Sequence, residues 1–277
     1  HYAAVEERIG VCGEDDDLSE ELGRPASMMP ALRIDDGSRR ILERYSRSHD
    51  RYVVRGLRLG AARLAACSRT HRGRGPHRYD DLDFWADKDA AVYRPRWTLE
   101  ELAECPNFTR MHRRLVLRFD ERPSTVRVTC RNIDTGENEV FEAGRLVLAA
   151  GVFGTARIVL RSLSLYDRPI PFVANPYTYA PCINTMMLGR QSEAPRHSLT
   201  QIMGAFRPEI GARPLHISIY SYRSLLTFKL MKEAPISVAA ARPLMQALIP
   251  AITILGIHHP DHPTLSKHML LRRDPDG

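Results

Sequence analysis

The stretch RLVLAAGVFGTARIVLRS, residues 145–162, limits the possible folds more than any other part of the chain. It runs from a continuous apolar segment through a small-residue corner into an amphipathic helical pattern. A continuous apolar run reads as a strand buried on both faces, as in a parallel sheet. Ala149, Ala150 and Gly151 stand at the C-terminal end of that expected strand, where α/β sheets bind their ligands. Small residues there let a backbone approach a ligand without Cβ interference. Gly154 lets the following helix start tight against a sheet, and a helix N-terminus favours a nearby anionic group. The residues alone leave open a second reading, in which they serve only strand–helix packing.

The surroundings give a mixed α/β (α+β) fold class. RRLVLRF (113–119), STVRVTCRN (124–132) and ENEVFEA (137–143) alternate apolar and polar residues, with a DTG turn between the last two, which predicts a β-meander. HSLTQIMGAF (197–206) and PLHISIYSY (214–222) predict two further strands. Helices are expected over 38–68, where apolar residues recur at helical spacing. They are also expected in TLEELAEC, where Thr98 and Glu101 form a capping box, and in ARPLMQALIPAITIL. HRGRGPHRYDDLDFWADKDAAVYRPRW (71–97) and RPIPFVANPYTYAPCINTMMLGR (168–190) have no clear period and read as long irregular segments.

The formal net charge is +7, and all but four of the 40 basic residues are arginine. They are interleaved with acids along the chain, so compositional bias explains them better than a nucleic-acid-binding stripe. The cluster SRTHRGRGPHR (68–78) reads as a solvated loop, and no nucleic-acid partner is expected. Asp15, Asp16 and Asp17 read as a loop or helix start. Five cysteines without C-x-x-C spacing favour reduced thiols over a disulfide framework or a zinc ribbon. No apolar run approaches the roughly 18 residues of a membrane span. No leader-like pattern follows His1, which makes the cytoplasm the default compartment. Yet the sequence starts in mid-helix and ends abruptly, as a fragment of a longer protein would.

PNFTRMHRRLVLRF, the meander and RLVLAAGVFGTARIVLRS together resemble the glucose–methanol–choline (GMC) oxidoreductases, and the choline-dehydrogenase-like flavoproteins in particular. The likeness covers residues 106–162 well and the rest loosely. It departs at Ala156, where the family has proline, and at Ser162-Leu163-Ser164-Leu165, where the family has Ser-Gly-x-Gly. The resemblance implies an FAD cofactor, with Val116, Ala149, Ala150, Gly151 and Gly154 against it. It implies three regions: a helical and irregular substrate or cap segment (1–105), the C-terminal part of a Rossmann-like FAD-binding fold (106–165) and an incomplete substrate-binding domain (166–277).

The implied reaction is hydride transfer from a small alcohol, sugar or polyol to flavin, with an unspecified electron acceptor. Trp85, Tyr93, Trp97, Tyr177 and Tyr179 are candidate cavity walls, since polar-tipped aromatics suit sugars, and they suit a plain core equally well. The family's G-x-G-x-x-G turn and its Gly-Thr-x-x-Met-Gly run near the catalytic histidine do not occur in this sequence. The base is therefore expected outside the chain, and isolated FAD binding is expected to be weak. His258, His259, His262 and His268 read first as loop or strand-end residues, with cavity, catalytic and metal roles behind. A basic, non-enzymatic binding module or inactive remnant, and another FAD oxidase or dehydrogenase acting on amines or hydroxy acids, are the alternatives.

Overall fold

Period-two alternation in LHISIY and a β-branched run in ITILGIH set two strands side by side, and three more join them in one antiparallel sheet. The computed structural model describes residues 2–24, 27–80, 83, 86–190, 197–209, 211–221, 231–233 and 235–273. In chain order the named elements begin with α1 (Tyr2–Ile9), β1 (Cys12–Gly13), α2 (Ser19–Leu22), β2 (Met29–Pro30), α3 (Asp36–Arg47), α4 (His49–Val53) and β3 (Leu57–Ala61). There follow α5 (Pro95–Ala103), β4 (Arg114–Glu121), β5 (Val126–Asn132), β6 (Asn138–Ala143), α6 (Gly151–Ser162), β7 (Ile170–Pro171) and β8 (Tyr177–Ile183). The last are β9 (Ile202–Phe206), β10 (Leu215–Tyr220), α7 (Val238–Leu248), β11 (Ile252–His258) and β12 (His268–Met269). The chain forms two units, residues 1–97 with 175–260 and residues 98–174 with 261–277.

In the first unit the strand order is β3-β9-β10-β11-β8, every pair antiparallel. Pairs such as Ile219 with Leu255 and Ile217 with Ile257 line one face with apolar side chains. α3 packs on that face, where Tyr45, Leu59, Ile202 and Ile219 are buried and Ile41, Leu42 and Leu255 close around them. Each such side chain contributes about 1.5–3 kcal/mol by leaving water. Asp35 caps α3 by accepting the Ser38 N–H at 2.7 Å, and its own N–H donates to Gln201 Oε1 at 3.1 Å. The helix start is thereby tied to the entry of β9.

In the second unit β4, β5 and β6 form the expected meander. α6 packs on β4 and buries Ile158 and Leu160. Ser162 joins the two, accepting the Phe119 N–H at 2.8 Å and donating to the Ile158 carbonyl at 2.7 Å. β7 and β12 pair as a short antiparallel ladder. The molecule is thus a mixed α+β protein with the expected meander and a separate antiparallel sheet. Among the described residues no helix is long and apolar enough to cross a membrane.

Several local expectations are corrected. Residues 145–150 form no strand, and Val147 is 87% exposed. A strand needs a neighbour for its backbone donors and acceptors, and among the described residues no partner strand lies beside this one. The helix expected over 38–68 gives way to β3 after α4, because pairing with β9 overrides local propensity. α5 starts at Pro95, a favoured first helical residue, so Thr98 lies inside the helix and is not its cap. The helix expected through AITIL ends at Leu248, short of Pro250, and β11 follows. YTYAPCI, which lies in a segment read as irregular, is edge strand β8, a position that tolerates Pro181.

Gly56 makes the turn from α4 into β3 at φ +81°, and a Cβ there would lie 1.9 Å from the Arg207 carbonyl oxygen. Gly56→Ala is therefore expected to lower stability by at least about 2 kcal/mol, read as a lower urea midpoint at unchanged m-value.

Candidate functional site

The antiparallel register places the sequence's polar aromatic residues on one face of the first unit's sheet. Period two puts Tyr177 and Tyr179 of β8, Gly256 and His258 of β11, and His216, Ser218 and Tyr220 of β10 on the side opposite the α3-covered face. Tyr177 stands directly across from His258, and His258 across from His216. A row of phenols and imidazoles thus crosses three strands.

Gly256 shapes this face. The Tyr177 ring leans diagonally over it to donate to the Tyr220 hydroxyl at 3.2 Å. A Cβ at Gly256 would lie 1.7 Å from the Tyr177 hydroxyl oxygen. The Tyr177 ring packs on Tyr179 at 4.5 Å and on His258 at 4.3 Å between centroids. Burial, then donation to Tyr220, push the Tyr177 hydroxyl's pKa up. At Tyr220 burial works upward too, but hydrogen bonds with Thr200, Tyr177 and Ser218 outweigh it and hold the phenol below its ordinary value. Tyr220 is the acidic member of the pair.

His258 sits at the open end of the row. Its Nδ1 lies 3.1 Å from Asn175 Nδ2 and 3.3 Å from Asn175 Oδ1, so the amide can serve either tautomer. Burial, then the neighbouring His216, lower the His258 pKa and favour neutral imidazole. The adjacent His259 Nε2 lies 3.0 Å from Thr178 Oγ1. A neutral imidazole held by an amide, beside two phenols of unequal acidity, can accept a proton from a bound hydroxyl group and orient it. His262 and His268 belong to the second unit, and among the described residues no cluster of three His, Cys, Asp or Glu could hold a metal.

The other predicted residues lie elsewhere. Tyr93 packs under the Arg74 guanidinium, 5.5 Å from its ring centroid, and its N–H donates to the Ala65 carbonyl at 2.7 Å. Trp97 carries the Arg96 guanidinium 3.9 Å above its ring. Trp85 lies outside the described residues. Val116, Ala149, Ala150, Gly151 and Gly154 belong to the second unit. Tyr220, His216 and Asn175 were not anticipated, although strict alternation in LHISIY already puts His216, Ser218 and Tyr220 on one side.

A second polar constellation is structural. The buried His77 Nε2 bonds Asp83 Oδ1, and His77 Nδ1 accepts the Tyr79 N–H at 3.0 Å. Both ring nitrogens are thus engaged. Asp83 Oδ2 accepts the Ser198 N–H at 2.6 Å. His197, 2% exposed, has Nδ1 3.1 Å from Gln201 Nε2. Together these groups fasten His77 and Asp83 to the entry of β9. Burial pushes the Asp83 pKa up, but the donors from His77 and Ser198 outweigh it and hold the carboxyl below its ordinary value. Burial, then the neighbouring His77, lower the His197 pKa to about 4.

No family model matches this chain, and no curated protein matches it.

Two measurements follow from this geometry. His197 is uncharged in the folded state and takes a proton on unfolding below its ordinary pKa of 6.5. Stability is therefore expected to fall as pH drops from 6.5 towards 4, by about 2 kcal/mol at pH 5. Asp83 adds a further loss at lower pH, as its depressed pKa is crossed. Urea midpoints against pH check this, and His197→Gln should flatten the upper limb. Tyr177→Phe removes the donor to Tyr220, so the lowest tyrosinate step in an alkaline absorbance titration should move up. An unchanged curve would contradict the pairing.

Proposed function

We propose that this chain is part of an FAD-dependent oxidoreductase of the GMC type that oxidises the CH–OH group of a small alcohol, sugar or polyol. The observation that carries the reading is the phenol–imidazole face of Tyr177, Tyr179, Tyr220, His216 and His258. Its hydroxyl-binding chemistry agrees with the resemblance in residues 106–162.

The residues expected to meet FAD fit part of such a contact. Gly151 turns at φ +74° with open space where a Cβ would stand, and Ala149 and Ala150 are exposed beside it. The Ala150 N–H is already engaged by Thr155 Oγ1 at 3.1 Å. Val116 and Gly154 are half-buried, the latter with Ala150 Cβ 3.2 Å from its own would-be Cβ. Val116, Ala149, Ala150, Gly151 and Gly154 would lie along one edge of the cofactor, and no pyrophosphate-binding turn stands in this sequence. When bound, FAD supplies the hydride acceptor.

The tyrosine rings offer a flat apolar wall with polar tips, suited to a carbon chain bearing hydroxyls. In this reading His258 takes the place of the base expected outside the chain: with Nδ1–H donated to Asn175 Oδ1, its Nε2 is bare and takes the proton of the substrate hydroxyl. The same Nδ1–H bond persists in the imidazolium that results, so Asn175 orients the base through the step.

The test is anaerobic bleaching of the visible flavin band, in flavin-containing protein, by a panel of alcohols, sugars and polyols. Bleaching is expected with at least one polyhydroxylated member and should be lost in His258→Ala with the flavin retained. Asn175→Asp puts a carboxylate on Nδ1 and should move the acid limb of the pH–rate profile up by about one unit. Bleaching undiminished in His258→Ala would remove His258 from the reaction. No bleaching by any alcohol would remove the reading itself.

A further inference from the structure

The other face of the same sheet carries a feature that the proposed reaction does not use. The apolar cluster under α3 reaches Leu255 on β11 and includes no residue of β8. Where the cover ends, an open groove of about 680 Å³ runs between α3 and the edge strand. Ile183, Met186 and Leu255 form its apolar wall, and Arg40, Arg44 and Arg47 stand along the other side with the ion-paired Glu43. Its volume is that of small-molecule sites, about 300–1,000 Å³.

The sequence of α3 explains the arginine row. Positions 40, 44 and 47 are spaced to share one helix face. The acids of α3 are already engaged: Asp36 with Arg39, and Glu43 with Arg39 at 3.5 Å and Arg47 at 3.6 Å. Arg40 and Arg44 have no carboxylate partner among the described residues. Arg40 is half-buried, and its Nε is shielded from water without a hydrogen bond. A guanidinium set against apolar walls with a donor unsatisfied is costly by itself, and its planar fork matches a carboxylate or a phosphate. The groove thus joins an anion-binding head to an apolar trough.

We propose that this groove binds a soluble amphiphilic anion, an alkyl or aryl chain ending in a phosphate or carboxylate. Arg40 and Arg44 hold the head, and Ile183, Met186 and Leu255 hold the tail. Charge complementarity and the apolar wall select such a ligand over a bare anion, which would leave the trough wet, and over a neutral chain, which would leave Arg40 unpaired.

The experiment uses octyl phosphate below its micelle concentration, with inorganic phosphate and octanol as its two halves, titrated into the full chain by calorimetry. Octyl phosphate is expected to bind at least about tenfold more tightly than either half. It should also slow iodoacetamide labelling of Cys182, which lines the groove, and leave labelling of the exposed Cys105 unchanged. Arg40→Gln with Arg44→Gln should weaken binding about tenfold or more. The exposed Arg44→Gln alone, which leaves the core contacts of α3 intact, should weaken it in the same direction at an unchanged thermal midpoint. Equal affinity for octanol, equal affinity for inorganic phosphate, unprotected Cys182 or undiminished binding in both variants would each overturn the proposal. So would co-sedimentation with anionic vesicles in the absence of octyl phosphate binding, since that would assign the arginines to a membrane surface.

Discussion

Strand register is the constraint on which the rest of the first unit depends. Tyr177, Gly256 and Tyr220 share a face only because β8, β11 and β10 pair as they do. A one-residue slip would carry the phenols and imidazoles into the core and turn Ile217, Ile219 and Leu255 out to water. The burial of Ile202 and Ile219 under Tyr45 opposes that slip. Gly256 adds a local check, since any other residue of β11 beneath the Tyr177 ring would put a side chain into the phenol. Core packing and candidate chemistry are therefore two sides of one pairing pattern.

The loop that crosses this unit is held by a different kind of force. The described part of residues 71–94 has little regular structure, and hydrogen bonds among the buried His77, Asp83, His197, Ser198 and Gln201 hold it beside the apolar contact of Tyr79. Buried polar networks of this type hold one geometry because each member lacks another partner. They also make the attachment sensitive to protonation.

What could be read in advance follows from where the information lies. The meander was legible because each strand alternates and its turn carries glycine, so the local pattern and the tertiary pairing agree. β9 and β10 were legible for the same reason. β3 was not, because Leu57, Leu59, Ala62 and Leu64 continue the helical pattern of the residues before them, and only pairing with β9 selects the alternation of Leu57, Leu59 and Ala61. Pro181 hid β8, since proline argues against a strand unless that strand is an edge, and edge position belongs to the assembled sheet. Residues 145–150 show the converse. Their composition asks for burial between neighbours, and without a partner strand among the described residues the same apolar run forms no strand. In the candidate site, Tyr177 and Tyr179 were visible as aromatics, and His216 and Tyr220 were implicit in an alternation already noted. Asn175 could not be found before the fold placed it against His258, from 83 positions away in the chain.

Pro181 has one more consequence. An open sheet edge invites a strand from a neighbouring molecule to continue the ladder, which is how soluble sheets begin to aggregate. β8 is such an edge, and its partner on the inner side is β11. A proline near its middle interrupts the outward row of backbone donors, so an incoming strand finds a gap where it needs a hydrogen bond. The residue that disguised the strand in the sequence also guards it against the wrong neighbour.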